Sequence, residues 1–274
     1  LEHTALNMHY VNGVALEQEM PKVSSFLKSG NAFGYVQVGV DRQPGLKFQY
    51  SGGGFVVLEH LIESLEGTNI QDLTKNFLNE FSPHLSFDQK VKNAADGYLE
   101  SGDKLKGSRK MFPAFAAGAM GNSLAVLQFL SKLTAAFRDV KGSGPISHST
   151  AVQMLFGRNK GSREFMGADM GLGIFTLDGG TNRFALHQGA NDGFRCLFVH
   201  CYDGPDRGKG FVILCSGELN AVLFIGEVAQ LICRELSLKG VNPKLHTKHF
   251  NPSNPCRAHT RIKPRKRCRD FGSQ

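Results

Sequence analysis

Apolar residues recur with a helical period through roughly the first 155 positions, with a strand period from 171 to 215, and with a helical period again to the end of the folded body. A short amphipathic piece over 23–27 stops at Ser29-Gly30. Leu58, Leu61, Ile62 and Leu65 fall at i, i+3, i+4 and i+7, one face of a helix, and Gly67 is placed to stop it. Ile70, Leu73, Phe77 and Phe81 mark a second helix that Pro83 ends. Asn122-Ser123 caps a third, through Leu124, Leu127, Leu130, Leu133 and Phe137. Ser147 or Ser149 caps a short fourth carrying Val152, Met154 and Leu155.

Strands are predicted over 171–177, 184–189, 194–202 and 211–215, with turns at Asp178-Gly179-Gly180 and Asp203-Gly204-Pro205-Asp206. The piece Gly189 to Gly193 reads as a tight glycine break that starts a hairpin. A long helix over 219–238 closes the pattern. Residues 39–45, 88–107 and 142–145 read as loop, polar surface excursion and linker. Helices first, then an antiparallel meander, then a closing helix, predict an α+β fold with segregated layers. The expected division is a mainly helical part over 1–145, a sheet and terminal helix of the same domain over 146–240, and a basic tail over 241–274.

Composition changes this picture only at the end of the chain. The formal charge is +8, and residues 241–274 carry nine Lys and Arg against Asp270 alone, so residues 1–240 are neutral overall. The tail, including Lys263-Pro264-Arg265-Lys266-Arg267, reads as a solvated, disordered end; a nucleic-acid or anionic-lipid patch is the sharper alternative. No apolar run reaches the roughly 20 residues of a membrane span. All six cysteines lie in the last third, without C-x-x-C or zinc spacing. Cys196, Cys201, Cys215 and Cys233 read as buried thiols, while Cys256 and Cys268 could pair in the tail. No metal and no cofactor is expected, and the compartment stays open.

Two stretches carry candidate chemistry: Phe48-Gln49-Tyr50-Ser51-Gly52-Gly53-Gly54-Phe55 and His187-Gln188-Gly189-Ala190-Asn191-Asp192-Gly193-Phe194-Arg195. A histidine in such a strand can donate a hydrogen bond or titrate near neutral pH. Together with Leu1-Glu2-His3-Thr4-Ala5-Leu6 and Ala116-Ala117-Gly118, and in this order, they resemble motifs of the serine β-lactamase and penicillin-binding protein superfamily, in its broad class C-like branch. The first segment is similar to L-x-H-T-x-G-L without its glycine, Tyr50 to Phe55 to Y-S-N-x-G-Y, Ala116 to Gly118 to A-A-G before a capped helix, and His187-Gln188-Gly189 to H-x-G or K-T-G.

The resemblance implies acyl-enzyme hydrolysis of an amide or ester such as a peptide, β-lactam or small ester. It gives Tyr50 a share in the base system, and His187 the role of supporting charge that develops near the carbonyl. Ser51, Gly189 and Ala190 would border the substrate, the Ala190 N–H serving as half of an oxyanion hole. Gly52 departs from the family's Asn, and Arg195 is expected to support the hairpin. The family's Ser-x-x-Lys lies well before the His3 segment, so the nucleophile is expected ahead of Leu1 and the chain alone is expected not to hydrolyse. Ser25-Phe26-Leu27-Lys28 has the Ser-x-x-Lys form but follows the His3 segment, and is read as the exposed side of a short helix. Residues 211–215 would then form an apolar sheet edge and make the isolated chain prone to associate. Two alternatives remain open: a non-catalytic binding or scaffold use of the fold, and nucleic-acid binding through the tail.

Overall fold

A computed structural model describes residues 1–7, 13–28, 37–157 and 166–243. The basic tail, with Cys256, Cys268 and the Lys263 to Arg269 cluster, lies outside the described residues. The helical part holds α1 (Val23–Lys28), α2 (Gly53–Glu66), α3 (Ile70–Asn79), α4 (Ala114–Ala117), α5 (Ser123–Phe137) and α6 (His148–Leu155), with a two-stranded pairing of β1 (Val14–Ala15) and β2 (Lys110–Met111). An antiparallel sheet follows: β3 (Asp169–Met170), β4 (Phe175–Asp178), β5 (Arg183–Asn191), β6 (Phe194–Asp203) and β7 (Gly210–Ser216). It is paired in chain order, and α7 (Leu219–Glu235) closes the fold. The fold is thus α+β.

Strand alternation sorts the core into two layers. Phe184, Leu186, Leu197, Val199 and Phe211 pack against Ile225, Ala229 and Cys233 of α7. The intervening Ala185 and Tyr202 pack against Leu130, Leu133 and Ala136 of α5 and Ala151 and Leu155 of α6. The sheet is covered on both faces, and every residue of β6 is buried or half-buried. His200 is buried on the α5 side, where its Nε2 meets Thr134 Oγ1 at 3.0 Å.

The caps behave as local chemistry dictates. Asn69, Asn122 and Ser147 accept from the N–H groups of Asp72, Ala125 and Thr150. Gly67 ends α2 in the left-handed conformation at φ 66°.

Three expectations are corrected. The strand expected over 171–177 is shortened to β4, because Gly171 to Ile174 make a turn, with Gly173 at φ 75°, that pairs Met170 of the preceding β3 with Phe175. Gly189 does not break its strand. β5 runs on through it, and the reversal comes at the two-residue turn Asp192-Gly193, where Asn191 pairs with Phe194. Gly193 is required there twice over: its φ is 75°, and a Cβ would stand 2.8 Å from the Gly97 backbone. Finally, α2 does not bury the stripe its period suggests. Val56 and Glu59 are buried, while Leu61 and Leu65 are 52% and 74% exposed.

Among the described residues β7 is an edge of the sheet, with Leu214 45% exposed. Cys201 and Cys233 are buried thiols, and Cys196 and Cys215 are half-buried rather than buried. No helix of the described residues is long and apolar enough to cross a membrane.

Candidate active site

The opening segment lies along residues 39–51. Gly39 O accepts from Asn7 N–H at 2.9 Å and His3 O accepts from Gln49 N–H at 2.7 Å. These bonds seat His3 beneath the start of α2, where its Nδ1 accepts from Ser51 N–H at 3.0 Å. The His3 ring stacks on Tyr50, with centroids 4.3 Å apart and planes at 25°. Phe48 and Phe55 flank the same ring at 5.9 and 5.5 Å. His187, from β5, stands 6.5 Å from Tyr50, 5.3 Å from Phe175 and 6.3 Å from Phe198. The fold thus brings Tyr50 and His187 together across 137 positions of sequence, inside an aromatic surround.

Burial sets the protonation states. His3 is pushed down to about 3, chiefly by burial and then by the charge His187 would carry. With Nδ1 accepting, its single proton sits on Nε2. His187 is pushed below its ordinary value by burial, against the opposing hydrogen bond to Gln188 O. That bond, 2.8 Å from Nδ1, makes Nδ1 the donor and leaves the lone pair on Nε2. Burial also raises the Tyr50 phenol and the Cys196 thiol. These four groups are therefore uncharged together. His187 can support a developing negative charge only after taking a proton on Nε2.

The remaining sequence candidates divide. Gly189 is half-buried and Ala190 exposed on β5. The β4 ladder ends at the Phe175–Leu186 pair, so among the described strands residues 187–191 are paired only with β6. Among the described residues no strand pairs with their other backbone edge, and His187 at its start stands beside Tyr50; an extended amide substrate needs such an edge. Gly189 also answers a packing demand, since a Cβ there would meet Cys196 Sγ at 2.5 Å. Ser51 is 2% exposed, so it lies beneath the site rather than lining it, and its Oγ has no hydrogen-bond partner among the described residues. Gly52 is the α2 N-cap.

Arg195 supports the hairpin: its Nη1 donates to Asn191 O and Phe194 O at 2.6 Å. Asn191 ties the hairpin to α4 through Ala117 O at 3.1 Å. Ser25 is half-buried and Lys28 exposed on α1, whose Val23 and Phe26 pack on Val56 of α2. Among the described residues no group of three or more His, Cys, Asp or Glu is placed to hold a metal.

Sequence reasoning missed His3 as a site residue. The signal available was its place in a motif-like segment; its stacking on Tyr50 is a contact across 47 positions. It also missed Glu59, which is 3% exposed and accepts from Phe115 N–H at 2.8 Å, joining α2 to α4.

No protein-family model matches the chain, and no curated protein sequence does. Solved structures match in fold. The D-amino acid amidase of Ochrobactrum anthropi SV3, complexed with L-phenylalanine amide, aligns at 13% identity and a TM-score of 0.59, over 79% of this chain and 63% of that one. The octameric penicillin-binding protein homologue of Pyrococcus abyssi aligns at 17% identity and a TM-score of 0.54, over 87% and 52%. A penicillin-binding protein of Bacillus halodurans aligns at 16% and 0.52, over 76% and 66%. The chain therefore spans about half to two-thirds of the length of the structures it resembles. It shares the fold of these amidase and penicillin-binding protein structures, the β-lactamase/transpeptidase fold.

Proposed function

We propose that this chain supplies the Tyr and His side of an acyl-transferring serine hydrolase site that takes an amide or ester. The nucleophile would be carried on a Ser-x-x-Lys segment ahead of His3. The observation that supports this most is the meeting of Tyr50 and His187, their rings 6.5 Å apart, beside a backbone edge at residues 187–191 with which no described strand pairs. In this reading the substrate lies along that edge and the Ala190 N–H receives its carbonyl oxygen. Tyr50 exchanges a proton with the nucleophile or the leaving group, and His187 becomes protonated as negative charge develops.

The solved amidase with L-phenylalanine amide makes amino acid amides of both hands the first substrates to try, with small esters and β-lactams after them. The test is turnover by the protein carrying its native N-terminus, compared with Tyr50→Phe. The variant is expected to lose about 10²- to 10⁴-fold in kcat, the usual worth of a positioned acid or base, while keeping its melting temperature. Equal turnover in the two proteins would overturn the assignment.

A second reading is non-catalytic use of the fold for binding or assembly. It is favoured by Gly52, where the family's asparagine would touch substrate, and by the uncharged state of His3, Tyr50 and His187 together. In that case Tyr50→Phe changes neither turnover nor binding.

A further inference from the structure

Building on the site reading above, we infer that His3 is a positioning residue for Tyr50: a neutral imidazole, protonated on Nε2, that clamps the phenol ring and the backbone of the next residue from one side. Three separate contacts carry this. The His3 ring lies face to face with Tyr50 at 4.3 Å and 25°. Its Nδ1 takes the N–H of Ser51, the residue that leads into α2, at 3.0 Å. Its own carbonyl takes the N–H of Gln49, the residue before Tyr50, at 2.7 Å. The backbone on both sides of Tyr50 and the ring itself are therefore held by one residue.

The chemistry selects histidine over other rings at this place. Phenylalanine stacks but offers no acceptor, which would leave the Ser51 N–H without a partner in a buried place. Glutamine or asparagine offers an acceptor but no face. Tyrosine has no acceptor at the Nδ1 position, close to its own backbone. Protonated histidine fails as well, because a proton on Nδ1 would face the Ser51 N–H. The ring must stay neutral, which its burial, with 8% exposure, enforces. The clamp also keeps water from one face of the phenol, and burial is what holds the Tyr50 proton on.

The test is made on the full chain, with ¹³Cζ-labelled tyrosine followed by NMR as pH rises and the Tyr50 signal assigned by Tyr50→Phe. In His3→Ala the stacked face opens to water, so the Tyr50 phenol is expected to titrate at least about one pH unit lower than in the parent. Tyr202, pushed up to about 12 by burial in the α5 layer, is the internal control and stays put. His3→Phe separates the two halves of the clamp. Tyr50 keeps its parent titration, while the Ser51 amide loses hydrogen-exchange protection by at least about tenfold, the equivalent of one lost hydrogen bond. His3→Gln restores the Ser51 protection without restoring the Tyr50 titration.

The inference is overturned if Tyr50 titrates alike in the parent and in His3→Ala, or if Tyr50 and Tyr202 move together. Should His3→Ala not fold, the opposite responses of His3→Phe and His3→Gln decide alone. None of these readouts depends on turnover, so the clamp can fail while the hydrolase reading stands, and the reverse.

Discussion

Glu59 gives the sharpest test of the packing that supports the site. Its carboxyl is 3% exposed and accepts the Phe115 N–H at 2.8 Å, with the Ala114 N–H also turned to it. Burial pushes its pKa from the ordinary 4.5 up to about 7; the two N–H groups oppose the rise and Glu63 adds to it. The folded chain thus binds this proton more tightly than the unfolded chain does. The stability that follows is fully present below about 4.5 and is lost as pH rises through about 7. At about 1.4 kcal/mol per pH unit the whole effect is of order 3 kcal/mol, most of it falling between pH 5 and pH 8.

The perturbation is Glu59→Gln, which keeps the size and an acceptor and removes the titration. Urea unfolding of both proteins at pH 5 and pH 8 gives two stability differences. Subtracting one from the other cancels every other titrating group. The parent is expected to lose about 2–3 kcal/mol relative to the variant between the two pH values. A difference that is the same at both would refute the reasoning, and would mean that Glu59 is solvated and ionised throughout.

Three further outcomes are expected. Gly189→Ala places a Cβ 2.5 Å from Cys196 Sγ, so it should destabilise the chain by about 1–3 kcal/mol in chemical unfolding; Cys196→Ala should recover most of that loss, and additive effects would count against the close pairing. His3 and His200 are held neutral, pushed down to about 3 and about 4, so both contribute stability that is present above pH 6.5 and is lost as pH falls toward those values; His200→Gln should flatten the melting profile between pH 4 and 6.5, and an unchanged slope would sink this. Phe184, fully buried between β5 and α7, should cost about 3–5 kcal/mol as Phe184→Ala, and a loss under 1 kcal/mol would show that the sheet core is not as packed.

Helices α2, α5 and α6 were legible because they carry their own punctuation: Gly67 as a stop, and Asn122 and Ser147 as caps; the Asn69 cap of α3 was not read from the sequence. Tyr50 and His187 were singled out through short motifs, and the fold sets their rings 6.5 Å apart; Arg195 braces the hairpin as its place in the sequence suggested. What escaped were features made by distant contacts. His3 takes its role from Tyr50 and Ser51, and Glu59 from a helix some 55 positions on. The apolar period of α2 predicted a buried face, yet the Glu59 side is buried and Leu65 is not, because periodicity locates a stripe without saying what packs on it. Gly189 misled for a related reason. Glycine marks either a turn or a close approach, and here Cys196 supplies the close approach.

The most direct test of the central claim is covalent trapping. The protein with its native N-terminus is treated with a fluorophosphonate, which phosphonylates activated serines with loss of fluoride; the modified residue is mapped by mass spectrometry, and the labelling rate is compared with that of Tyr50→Phe. One labelled serine is expected, in a Ser-x-x-Lys segment ahead of His3, with labelling slowed about 10²-fold or more in the variant. Labelling at the same rate in both proteins, labelling at Ser25, or no labelling in the parent would contradict it.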